Sequence, residues 1–175
     1  MWVEQDTPGL VSWIGEYLKV EARPAMIDRW VCRTEAAIVA NASDVVGNPD
    51  LALLLHEMVR DHWIAFLRQL SESELHFRLV DSARRLATEL AAHRFPLESL
   101  IKIYRAAQLD VWAYATEVAN EAPPALCDSN TVLVYFWSRA AGWIDASIEA
   151  STAVFRAEEE ERLASSAAAQ RFEAV

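Results

Sequence analysis

The sequence predicts an all-α fold of about six helices in a single domain, ending in a long C-terminal helix. Three observations point there. Apolar residues recur at i, i+3, i+4 and i+7 through most of the chain, which is the period of one helix face. Alanine is abundant, and the periodic stretches lack breakers. Four Gly and six Pro are too few to supply the turns of an all-β domain of 175 residues.

Thr7-Pro8 opens the first helix, with Thr as N-cap and Pro in the first turn, where a missing N–H is not needed. Leu10, Ile14, Tyr17 and Leu18 then share one face, and the helix ends before Pro24. A second helix runs from Pro24 to about Ala40 and aligns Ile27, Trp30, Val31, Thr34 and Ile38. Residues 41–48 read as a loop around Gly47. Asn48-Pro49 repeats the cap signal. The helix from Pro49 to Leu70 has an apolar face wide enough for a central position, with Leu54, Met58, Trp63 and Phe66 on it. After the polar connection Ser71 to Glu74, a helix is predicted from about Leu75 to His93. Pro96 starts the next, which lasts to about Ala122 and is stopped by Pro123-Pro124. Asp128, Ser129 or Asn130 caps the last helix, predicted from about Thr131 into the tail.

That last helix is apolar on two sides. One stripe is Trp137, Ala141, Ile144, Ile148 and Phe155; the other is Ala140, Trp143, Ala150, Val154 and Ala157. Both sides must be buried, so one is expected to face the chain's own core and the other a second copy. The expected dimer interface is Trp143, Ala150, Val154 and Ala157. The division that follows is a helical, dimerising domain over 1–157 and a charged helical linker over 158–175, leading to an output domain outside this chain.

The net charge of −10 and a pI near 4.8 oppose binding to phosphate backbones and to anionic membrane surfaces. The basic residues are scattered, with Arg84-Arg85 the tightest cluster. No basic n-region opens the chain, and no apolar run approaches the ~18 residues of a membrane span. A cytoplasmic protein with reduced thiols is expected; Cys32 and Cys127 are read as buried small hydrophobes.

Constellations for chemistry are sparse. His56 and His62 are six residues apart, about 120° around a helix, and cannot chelate one metal from it. There is no HExxH, no nucleophile elbow and no Gly-rich phosphate loop. The carboxylates of Glu57 and Asp61 stand beside Arg60 and read as a solvated face. No metal, no cofactor and no catalytic residue is assigned. His62 is expected to be bonded to a partner, and His93 to sit at a helix C-terminus. The best site candidate is the helix after Pro96. Tyr104 and Trp112 follow core spacing, with Arg105 and Gln108 beside them. A guanidinium next to that much apolar surface must find carboxylates, carbonyls or an anionic ligand. One account is a salt bridge to Glu35, Asp61 or the neighbourhood of Asp110. The other is a pocket closed by Tyr104 and Trp112, in which Arg105 clasps an acidic small molecule. Tyr104, Arg105, Gln108, Trp112 and His62 are therefore the candidate pocket or signalling residues.

The stretch HRFPLESLIKIYRAAQLDVW, from His93 to Trp112, resembles the signature of the RsbRD N-terminal type of helical sensor domain, found at the N-terminus of actinobacterial PucR-like transcription regulators. Pro96, Leu97, Leu100, Tyr104, Arg105 and Trp112 fill the places of that pattern, and Phe95 stands where the family often has Gly. The resemblance implies a globin-like or bundle-like fold and a non-catalytic sensing and dimerising module, answering a small-molecule or protein signal, with helix-turn-helix output elsewhere. The globin likeness raises the alternative of a haem-bearing sensor. The position of a proximal His falls near Glu89, however, and His93 lies too close to Pro96 to serve. A second alternative is a stand-alone helical protein that binds a small ligand.

Overall fold

The computed structural model describes residues 8–72, 74–125 and 128–173. Its helix starts follow the prolines. Helix α1 (Pro8–Glu21), α2 (Pro24–Asn41) and α4 (Pro49–Gln69) each begin on one, and Pro96 is the N-cap of α6 (Leu97–Glu121). Asn48 caps α4 through its side chain, accepting from the amides of Asp50 and Leu51 at 3.0 and 3.3 Å. The expected cap at Thr7 lies outside the described residues, as does Cys127. The remaining helices are α3 (Ser43–Val46), α5 (Asp81–Ala92) and α7 (Ser129–Glu173). Among the described residues there are seven helices and no strand, in one domain, and no helix is long and apolar enough to cross a membrane.

Two local expectations are corrected. The segment 41–48 is not simply a loop, because it forms the short α3, pinned where Asp44 accepts from the Ser99 hydroxyl at 3.2 Å. Residues 75–80 form no helix, and α5 starts only after Val80, whose φ of −65° and ψ of 145° are extended. Leu75, Phe77 and Leu79 alternate with exposed His76 and Arg78, the period of an extended strand and not of a helix. Polar groups fasten the crossing: the His76 amide donates to Gln69 Oε1 at 2.9 Å, and the Tyr135 hydroxyl donates to the Leu70 carbonyl at 2.6 Å.

The turn into α6 explains the absence of Gly at Phe95. Arg94 takes φ 61°, the Arg94 amide donates to Ala91 and the Phe95 amide to Leu90. This is the Schellman closure, with the left-handed residue one place before Phe95. His93, at the C-cap, donates from Nδ1 to the Glu89 carbonyl at 2.8 Å.

Packing closes a ring. α2 lies between α4 and α6, α6 contacts α7, α7 contacts α5, and α5 returns to α4. The core fills this ring. α1 lies on α2, where the buried Glu21 accepts from Trp30 Nε1 at 2.5 Å, and Tyr17 meets Phe136 of α7 edge-on. Phe155 is the last buried residue of α7, and none is buried from Arg156 to Arg171, although the helix continues.

The two-stripe reading of α7 is also corrected. Its buried positions are Val132, Phe136, Ala140, Trp143, Ile144, Ser147, Ser151 and Phe155, one stripe running into the core. The two serines hide its continuity from a hydrophobic reading. Trp143 is turned into the chain's own core, so it is not a partner-facing residue; Ala150 and Val154 are half-buried against that core, and Ala157 is exposed. Cys32, expected to be buried, is exposed.

Candidate functional site

α4, α6 and α7 each send polar groups to one place inside the ring. Trp143 Nε1 donates to His62 Nδ1 at 3.2 Å. An indole N–H can only donate, so Nδ1 is the unprotonated ring nitrogen and the proton sits on Nε2. Nε2 faces the Tyr104 hydroxyl at 3.3 Å, which leaves that hydroxyl to donate to Ser151 Oγ at 2.8 Å. The polarity of the relay therefore runs from Trp143 through His62 and Tyr104 to Ser151, beginning and ending on α7.

Burial fixes the protonation states. It pushes the His62 pKa from 6.5 down to about 4, with the charge of Asp61 opposing. It pushes the Tyr104 phenol up to about 12, against the hydrogen bond with Ser151. Neither group titrates near neutral pH, so neither is poised to trade a proton there.

A second relay starts from another indole. Trp63 Nε1 donates to Thr34 Oγ1 at 2.9 Å, and the Thr34 hydroxyl donates to Asp110 at 2.7 Å. Arg33 pairs with Asp110 at 3.3 Å and with Glu117 at 2.8 Å, and lies over the Trp30 ring. Trp30, Trp63 and Tyr114 pack against one another at this end of the core.

Between the two relays lies a cavity of about 60 Å³, walled by α2, α4, α6 and α7. His62 and Tyr104 form its polar side, and Ala107, Ala140, Ile103 and Ile144 its apolar sides. Leaving such a space unfilled costs roughly 1–2 kcal/mol at the usual price per volume. Trp143 lines this cavity and also a wider surface cleft of about 480 Å³, edged by Asp61, Arg68, His76 and Arg78. The indole thus borders both the cleft and the cavity.

The predicted site residues separate. Tyr104 and His62 come together in the relay. Arg105 is exposed and makes no hydrogen bond or ion pair among the described residues. Its expected anchoring is corrected, since Arg33 on α2 holds Asp110 instead. Gln108 is half-buried outside the cavity wall. Trp112 is 44% exposed and packs edge-on against Trp137 at 4.7 Å, so it closes no pocket with Tyr104. The carboxylates of Glu57 and Asp61 are divided between Arg85 and the Ser82 hydroxyl. Sequence reasoning missed Ser151, Thr34 and Arg33. Thr34 left a signal in the apolar face it shares with Trp30 and Ile38, and Ser147 and Ser151 left another, four residues apart in line with Trp143 and Phe155. Among the described residues no three His, Cys, Asp or Glu side chains converge on a place that could hold a metal ion.

The family model described as RsbT co-antagonist protein rsbRD N-terminal domain matches residues 24–171. The chain belongs to this family. It is a family of regulatory N-terminal domains, and the matched span runs from the first residue of α2 into the exposed part of α7. Neither a curated protein nor a solved structure matches the chain.

Proposed function

We propose that this chain is the signal-sensing and dimerisation domain of a bacterial transcription regulator, non-catalytic and without haem, that passes its state on through α7. The observation that carries the reading is the course of that helix. Trp143 and Ser151, the two ends of the buried relay, both lie on α7 ahead of Phe155, and the same unbroken helix then continues to Glu173 with no buried residue from Arg156 to Arg171. A change at His62 or Tyr104 must alter contacts of α7, and a rigid helix carries a tilt or rotation beyond the core. Such a device requires two packings of similar energy that a signal can bias.

The partner surface in this reading is the half-buried and exposed side of α7, at Ala150, Val154 and Ala157. Light scattering at micromolar concentration should give a dimer, and Val154→Glu with Ala157→Glu a monomer, because charge would have to be buried without a partner. Hydrogen exchange tests the transmission: Tyr104→Phe should change protection between Arg156 and Glu173. A wild-type monomer together with unchanged exchange would overturn the proposal. The net charge of −10 predicts no mobility shift of duplex DNA by this chain, since output is assigned elsewhere.

A further inference from the structure

We propose that the cavity between α2, α4, α6 and α7 is a binding site for one small, uncharged, apolar molecule of about two to four heavy atoms. This deepens the sensing reading above and rests on it for the consequence at α7.

Size sets the upper limit. The volume is about 60 Å³, less than half of the roughly 150 Å³ at which an apolar protein cavity takes benzene. A single dioxygen, a xenon atom or a short hydrocarbon fits that scale, and an aromatic metabolite does not.

The hydrogen bonds set the chemistry. A buried water needs about two to four polar partners, and the polar groups on this wall are already engaged. Both His62 nitrogens are used, by Trp143 and Tyr104. The Tyr104 proton goes to Ser151. The Thr34 hydroxyl accepts from Trp63 and donates to Asp110, and the Ser147 hydroxyl donates to the Trp143 carbonyl. What remains is hydrocarbon, so water gains nothing on entry. His62 is the sole ionisable ring on the wall besides the Tyr104 phenol, and both are neutral, so an ion would find no counter-charge.

The space is left by small side chains. Ala107 of α6 and Ala140 of α7 both line it, and interiors packed to normal density keep few voids larger than a water. The site is coupled to the relay. Trp143, His62 and Tyr104 all line the cavity, and the same three groups are hydrogen-bonded to one another along the relay. A molecule bound there therefore touches the groups whose hydrogen bonds end on Ser151 of α7.

Xenon is the probe. The full chain under xenon pressure, followed by methyl NMR or crystallography, should show one saturable site touching Ile103, Ala107 and Ala140. Ala107→Leu should weaken uptake by about tenfold or more. Because overpacking can disturb the fold, Ile144→Ala provides the opposite test: it should strengthen uptake and admit benzene, seen as a rise in Tm absent from the wild type. A wild-type chain that takes up no xenon, or an ordered water hydrogen-bonded to Thr34 or Ser147 in the cavity, would overturn the site. Hydrogen exchange along Arg156–Glu173 separates the two readings. Xenon bound with exchange unchanged supports the site and removes its role in sensing; xenon absent removes the site and leaves the dimer and Tyr104→Phe tests to decide sensing.

Discussion

The two faces of α6 interleave in sequence and differ in everything else. Tyr104 is 5% exposed and ties α4 to α7 through His62 and Ser151. Arg105, the next residue, points to solvent, and Leu109 and Trp112 extend the same outer face at 68% and 44% exposure. Each residue turns about 100° from the last on a helix, so a motif read as a string joins groups that never meet. The inner face holds the helix in the ring by burial and hydrogen bonds, whereas the outer face depends on neither.

The comparison breaks or sharpens with four measurements. The largest effect is expected from an inner-face contact. Trp143→Ala should cost about 3–5 kcal/mol in urea unfolding, while Trp112→Ala on the outer face should cost under about 1 kcal/mol; equal losses would erase the distinction.

Next comes pH. In the unfolded chain a His takes up its proton near pH 6.5, but folded His62 takes it up only near pH 4. The contribution of neutral His62 is therefore complete above pH 6.5, falls as pH drops from 6.5 towards 4, and changes no further below. The shift corresponds to on the order of 2–3 kcal/mol, its partial accessibility taken into account. Denaturant midpoints at pH 7 and pH 4.5 should show a gap that narrows in His62→Leu. An unchanged gap would mean that other groups carry the acid sensitivity.

Tyr104→Phe removes only a hydroxyl, but it leaves the His62 N–H and Ser151 without their partner, so about 1–3 kcal/mol should be lost. Arg105→Ala, at the adjacent position, should stay within about 0.5 kcal/mol, with Tm nearly unchanged. A larger loss at Arg105 than at Tyr104 would reverse the assignment of the faces.

Much of the fold was legible, and the reason is locality. Asn48-Pro49 announces a helix start through its own side chain and ring, and Pro123-Pro124 end one. Residues 75–80 were misread because Leu79 also fits the helical spacing of Ala83, Leu86 and Leu90, although the alternation of Leu75, Phe77 and Leu79 was present. The site was legible in part. His62 and Tyr104 were singled out, but Trp143 was assigned to a partner because Ser147 and Ser151 look like breaks in an apolar stripe. Their hydroxyls are satisfied inside the protein, by the Trp143 carbonyl and by Tyr104, so they are buried at no cost that the sequence reveals.

By itself the sequence determined the helical class, most helix boundaries, the negative charge and the family signature, because caps, breakers and periodicity act within a few residues of where they are written. Only the tertiary structure decided that Arg33 and not Arg105 holds Asp110, that Trp143 faces His62, and that the small side chains of Ala107 and Ala140 open onto one cavity. Each of those depends on the rotation and depth of one helix against another, and a periodicity read along a single helix leaves both undetermined.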